Sequence, residues 1–193
     1  IQAGMSHSCG LTTDGQAHCW GSNVSGQLGT GTYADTAAPV AVAGGHTFKA
    51  LSVGGISTCG LDTSGAAFCW GRLRPGGITG GPPLAVPGEH VFQSLSVGGS
   101  NFACALTAAG VAYCWGDSEW GKLGNGTPSP GFSDTPTPVA GGLRFASISA
   151  GDLHACGITT NGAAYCWGFG LVGQLGNGTT IDTSVPVRVA DPD

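Results

Sequence analysis

Apolar residues come in short runs along this chain, alternating with small or polar residues and then stopping at glycine. "FKALSVGG" (48–55), "FQSLSVGG" (92–99) and "FASISAGD" (145–152) alternate most plainly, and each predicts a strand that ends in a turn. A second strand is predicted from just before a Cys-Gly or Cys-Ala pair to a Thr-Thr or its equivalent. A third is "QAHCWG" (16–21), "AAFCWG" (66–71), "VAYCWG" (111–116) or "AAYCWG" (163–168). A short fourth is "APVAV" (38–42), "TPVAG" (137–141) or "VPVRV" (185–189), with a proline that belongs at a strand start or on an edge.

The pattern is a repeat. Its leading cysteines stand at Cys9, Cys59, Cys104 and Cys156, steps of 50, 45 and 52 residues. A period of about 40–50 residues suits one four-stranded propeller blade. The expected architecture is therefore all-β, a β-propeller of four-stranded antiparallel blades with about four blades present. The expected organisation is a single repeat domain over 1–193, with repeats at approximately 1–47, 48–91, 92–144 and 145–193. "IQAG" at the start matches "ISAG" at 148–151, so the first strand of the first repeat lacks its leading residues. Unpaired blade edges template association. The chain is thus expected to be a fragment of a longer ring, a set of blades completed by other copies, or a small ring that closes imperfectly.

The hairpin arithmetic accounts for the cysteines. A three-residue loop Thr13-Asp14-Gly15, with glycine in the left-handed position, is a favoured connection. It sets Leu11 opposite Ala17, Gly10 opposite His18 and Cys9 opposite Cys19. The same count pairs Cys59 with Cys69, Cys104 with Cys114 and Cys156 with Cys166. Directly opposed residues at a non-hydrogen-bonded site lie about 4.5 Å apart at Cα, within disulfide reach. Eight reduced, buried cysteines are the alternative. Zinc ligands usually stand two to four residues apart, so nine intervening residues do not fit a metal pair. Four disulfides place the chain in an oxidising compartment, secreted or at the cell surface.

"SNVSGQLGTGT" (22–32), "DSEWGKLGNGT" (117–127) and "FGLVGQLGNGT" (169–179) follow three of the four Trp-Gly pairs. Together with "SAGDLHACGITTNGAAYCWG" and "VPVRV", they resemble the regulator of chromosome condensation repeat over essentially the whole chain. The resemblance implies a β-propeller, usually seven-bladed, whose loops bind another protein. The paired cysteines look like those of the family's secreted bacterial members. The second repeat departs from the pattern: "RLRPGGITGGPPL" (72–84) lacks the Gly-Gln-Leu-Gly element, so its outer strand and loop are expected to differ. Light sensing, known in the family, would need a tryptophan cluster balanced by charges. Here Trp20, Trp70, Trp115 and Trp167 occupy one repeated position, and charged residues make up only 9% of the chain.

Composition then removes several functions. The net charge is −5 with six Lys and Arg in all, so there is no basic stripe for nucleic acid. No apolar run has the length of a membrane span. Neither a metal nor a cofactor is expected. No recurring pair of carboxylates has acid–base logic, and "GNGT" at 124–127 and 176–179 lacks the Lys-Ser/Thr ending of a phosphate loop. His7 and His154, two residues before their cysteines, are expected to be structural; His46 and His90 read as solvated loop residues. Asn23, Asn125 and Asn177 head Asn-x-Ser/Thr triplets that turn chemistry explains. Asp35, Asp134 and Asp182 recur as loop caps rather than calcium ligands.

What varies between the copies is the pair of loops on one face, between strands one and two and between strands three and four. A constant frame with variable, partly aromatic loops is the pattern of a binding surface. The candidate anchors are Trp120, Phe169, Phe102, Arg72 and Arg74, with Asp117 and Glu119 beside them. The expected function is a non-enzymatic extracellular module that binds a protein partner, or its own copies as a homo-oligomer, through these loops. A self-assembling structural module and a carbohydrate-binding propeller are the alternatives.

Overall fold

Each hairpin forms where a polar residue is followed three positions later by glycine. The Gly15 N–H donates to the Thr12 carbonyl at 3.0 Å with Gly15 at φ 83°, and Gly65, Gly110 and Gly162 repeat the turn. The leading side chain ties the ends together: Thr12 Oγ1 accepts from Gln16 N, Asp62 Oδ1 from Ala66 N, and Thr107 Oγ1 from Val111 N. These turns fix the register. Cys9 faces Cys19, Cys59 faces Cys69, Cys104 faces Cys114 and Cys156 faces Cys166. All four pairs are disulfides, with Cα atoms 4.0–4.1 Å apart.

The computed structural model describes residues 1–73, 76, 80–127 and 130–191. Its strands form four antiparallel sheets in chain order. Blade 1 holds β1 (Gln2–Ala3), β2 (His7–Leu11), β3 (Ala17–Gly21) and β4 (Thr36–Ala41). Blade 2 holds β5 (Phe48–Val53), β6 (Ser57–Asp62), β7 (Ala67–Gly71) and β8 (Leu84–Ala85). Blade 3 holds β9 (Phe92–Val97), β10 (Phe102–Thr107), β11 (Ala112–Asp117) and β12 (Phe132–Pro138). Blade 4 holds β13 (Phe145–Ala150), β14 (His154–Thr159), β15 (Ala164–Gly168) and β16 (Thr183–Arg188). Pro39, Pro138 and Pro186 all lie in outermost strands, where a missing N–H breaks no ladder. The departure of the second repeat appears as the two-residue β8.

Blades stack in sequence order. The first three hairpin glycine carbonyls each accept from the phenylalanine that opens the next blade: Phe48 N to Gly15 O, Phe92 N to Gly65 O and Phe145 N to Gly110 O, at 2.8–2.9 Å. Those phenylalanines are buried beside the tryptophan of their own blade, with ring centroids 5.7–5.8 Å apart in the Phe48–Trp70, Phe92–Trp115 and Phe145–Trp167 pairs. The core therefore lies between blades rather than within any one of them, as a stack of sheets requires.

The candidate loop face

The two loop sets meet on one side of the blades. The residue after each Trp-Gly pair donates its N–H to the loop between strands one and two: Ser22 to Ser6 O, Arg72 to Ile56 O, Asp117 to Asn101 O and Phe169 to Leu153 O. From there repeats 1 and 3 send an arm to the following blade. Gly29 sits on the indole of Trp70, and Gly124 on the indole of Trp167. A Cβ at either glycine would fall within 2.8 Å of the ring, and both hold φ near +66°. Only glycine satisfies both demands. Leu28 and Leu123 are buried beside them.

Repeat 3 puts Lys122 where repeats 1 and 4 have Gln27 and Gln174. Lys122 is 1% exposed. Its Nζ donates to the Ser100 carbonyl at 3.1 Å, pairs with Asp117 Oδ1 at 3.3 Å and lies 5.7 Å from the centre of the Phe102 ring. Asp117 Oδ1 also accepts the Glu119 N–H at 2.8 Å. The ion pair thus spans the short 3-10 turn at 119–121 and holds both its ends.

That turn is strained. Trp120 has φ 62° and ψ 10°; Asn101 is the other non-glycine residue at positive φ among the described residues. Both belong to repeat 3 and to the loop face. A bulky residue in this region costs about 1–3 kcal/mol unless its surroundings compensate, and such residues collect at binding and active sites. In this conformation the Trp120 ring lies outward, 44% exposed. It meets Phe169 of the next blade edge-on, with ring centroids 5.4 Å apart at 73°. In front of Trp120 an open cleft of about 460 Å³ is lined by Glu119, Trp120, Pro130, Asp182, Thr183 and Ser184.

The structure thus brings Trp120, Phe169, Asp117 and Glu119 together. Phe102 is a correction: it is fully buried. It stands two residues before Cys104, which puts it on the same sheet face as the disulfide, in the buried cluster against blade 4 with Trp167, and it packs under Lys122. Asp117 faces Lys122 and orders the loop instead of projecting from it. Arg72 is exposed on the second repeat's loop and makes no ion pair among the described residues. Arg74 lies outside the described residues. Lys122 was overlooked, although a lysine inside an otherwise repeated Gly-Gln-Leu-Gly element was the signal to follow.

The remaining polar residues serve the frame. His46 and His90 are not solvated loops; each is half-buried, 4.3 Å from the ring of Phe68 or Tyr113. His7 is buried, with Nε2 2.8 Å from Thr58 Oγ1, and burial lowers its pKa to about 4. Thr58 gives its single proton to the Gln27 carbonyl at 3.0 Å, so it accepts from His7, and the His7 proton sits on Nε2. Asp35 and Asp182 accept the N–H of Asn23 and Gly170, as loop caps should; Asp134 instead accepts from Gly76. Asn23 is buried, with its amide donating to Thr32 O and Ala34 O, while Asn125 and Asn177 close turns onto Thr127 N and Thr179 N. No group of three His, Cys, Asp or Glu among the described residues could hold a metal ion.

Comparison with known proteins agrees with this geometry. Profiles of the regulator of chromosome condensation (RCC1) repeat match residues 1–27 and 145–174, and residues 109–158 and 161–193. The ultraviolet-B receptor UVR8 of Arabidopsis thaliana is 30% identical over 202 residues, covering 100% of this chain and 46% of the receptor. The human E3 ubiquitin-protein ligase HERC2 is 33% identical over 98% of this chain and 4% of its own length. Among solved structures, human WBSCR16 superposes with a TM-score of 0.85 at 24% identity, over 98% of this chain and 52% of that one. Yeast RCC1 (Prp20), solved with Kap60, superposes with a TM-score of 0.82 at 24% identity, over 97% and 47%. The chain spans about half the length of the plant receptor and of these two solved chains.

Proposed function

Because the chain belongs to the regulator of chromosome condensation (RCC1) repeat family, we propose that it is a binding module that docks a protein partner on the loop face of blades 3 and 4 and has no catalytic role of its own. The observation that carries this reading is Trp120, an exposed aromatic ring held in a strained backbone by the half-buried Lys122–Asp117 ion pair and braced by Phe169. Rigid aromatic anchors on a fixed scaffold are what protein interfaces use for most of their affinity. Leu171, Val172 and Ile181, exposed on the neighbouring loops of blade 4, widen the apolar surface. That yeast RCC1 (Prp20) was solved bound to Kap60 supports a protein partner for propellers of this kind. The four disulfides support an extracellular or cell-surface location.

The test is affinity capture with the wild-type chain beside the Trp120→Ala/Phe169→Ala double variant, followed by calorimetry of each captured protein, once purified, against both. A partner bound by the wild type and at least tenfold more weakly by the double variant, with thermal unfolding of the variant nearly unchanged, is expected. Undiminished binding by the double variant would move the interface elsewhere.

A further inference from the structure

Resting on that docking face, we propose that the cleft beside Trp120 receives an arginine side chain of the partner. The walls are of two kinds. Trp120 and Pro130 supply apolar surface, while Glu119 and Asp182 supply carboxylates. The Glu119 carboxylate makes no hydrogen bond or ion pair among the described residues, and Asp182 commits one oxygen to Gly170 N. Among the described residues the cation nearby, Lys122, is buried behind the turn with its charge engaged by Asp117 and the Ser100 carbonyl. The cleft therefore presents negative charge next to an aromatic face, with no free cation among the described residues to answer it.

An arginine matches both features at once. Its planar guanidinium stacks on an indole while its N–H fork binds carboxylate, and it is less strongly hydrated than an ammonium. A volume of about 460 Å³ holds one long side chain with some water and is small for a folded element. The net charge of −5 adds a long-range attraction for a basic segment. Among the described residues blade 3 alone carries the arrangement. The residues aligned with Trp120 are Ser25 in repeat 1 and Val172 in repeat 4, neither of which offers a π face.

The probe is the peptide acetyl-Gly-Arg-Gly-amide, titrated into ¹⁵N-labelled protein beside its uncharged citrulline analogue. Saturable shifts at the Trp120 indole and at the amides of Gly121 and Ser184 are expected. The citrulline peptide and the Glu119→Gln variant should each bind at least fivefold more weakly, and raised salt should weaken the arginine peptide. Trp120→Gly gives a second readout. Glycine accepts φ 62° without strain, so this variant should melt no lower than wild type while losing the shifts. Equal binding of the citrulline peptide, shifts mapping elsewhere, or a neutral oligosaccharide occupying the cleft in preference would each overturn the arginine assignment. If the assignment fails while Trp120→Ala/Phe169→Ala still abolishes capture, the docking face stands and its anchor is apolar contact alone. Loss of neither overturns both.

Discussion

At the first blade junction Gly29 lies on Trp70, and the Gln27 carbonyl takes the Thr58 hydroxyl, which in turn accepts from His7. At the third junction Gly124 lies on Trp167, and the Lys122 carbonyl takes the indole N–H directly, at 3.1 Å. The arms are superimposable in role: a glycine against the ring, a buried leucine next to it, a polar residue before it. The polar chemistry beneath differs. One junction is closed by a neutral chain of hydrogen bonds with a histidine at its end, the other by a lysine–carboxylate pair that also shapes the exposed loop. Shape is thus shared between repeats, while the small set of buried polar groups decides what each loop can present to solvent.

The most drastic way to erase the comparison is to remove the frame both junctions stand on. Each disulfide closes a loop of about ten residues and contributes about 2–3 kcal/mol, so reducing all four removes an amount comparable with a domain's whole stability. Near-ultraviolet dichroism in excess reductant should collapse at ambient temperature. Survival of the signal would show that blade stacking alone suffices. The same frame was the most legible part of the sequence. A fixed spacing of ten between paired cysteines around a glycine turn sets the register by counting, and the repeat period sets the blades. Counting failed where packing between blades decides. His46 and His90 find Phe68 and Tyr113 through contacts that no local pattern announces. The meeting of Trp120 with Phe169 joins loops from different repeats, which sequence places on one face without placing side by side. Phe102 was legible and was misread: alternation puts it on the same sheet face as Cys104, and in this central strand both faces are covered by neighbouring blades.

Lys122→Ala cuts the third junction alone. It leaves Asp117 and the Ser100 carbonyl without their cation. Because Asp117 is partly open to water, the loss should be about 2–3 kcal/mol rather than the larger cost of a fully enclosed charge. Lys122→Gln, which installs the residue of the other two arms, should recover part of this in denaturant unfolding. It should not recover the outward pose of Trp120, read from its fluorescence. Equal Trp120 emission in the glutamine variant and wild type would mean that the ion pair does not shape the turn.

Acid probes the first junction. His7 has a folded pKa of about 4, below its unfolded value of about 6.5, so its protonation favours the unfolded chain. The stability tied to its neutral form is fully present above about pH 6.5 and is lost as pH falls toward 4, to a limit of about 3 kcal/mol. Burial lowers His154 too, against the opposing charge of Asp152, so it adds a smaller slope of the same sign. His7→Gln should flatten the pH dependence of the denaturation midpoint between about pH 6.5 and about pH 5 and leave that remainder; nearer pH 4 Asp14 and Asp62, held below the ordinary carboxylate value by hydrogen bonds, add a slope of the same sign. An unchanged slope would place the titrating group elsewhere.

The smallest change converts one junction toward the other. Blade 4 has Ala155 where blade 2 has Thr58, each one residue before its cysteine, and Ala155 leaves the Lys122 carbonyl available to Trp167. In blade 2 the Thr58 hydroxyl occupies the corresponding carbonyl, and the buried Trp70 Nε1 has no hydrogen-bond partner among the described residues. A buried donor without an acceptor is unfavourable, so Trp70 should take the carbonyl once Thr58 releases it. Thr58→Ala should therefore shift the Trp70 indole proton downfield and slow its exchange with solvent. The gain is offset because His7 Nε2 loses its acceptor, and the net cost should stay near 1 kcal/mol. A Trp70 indole resonance that neither moves nor gains protection would show that the carbonyl is out of its reach, and that the two junctions differ in backbone position as well as in which group donates.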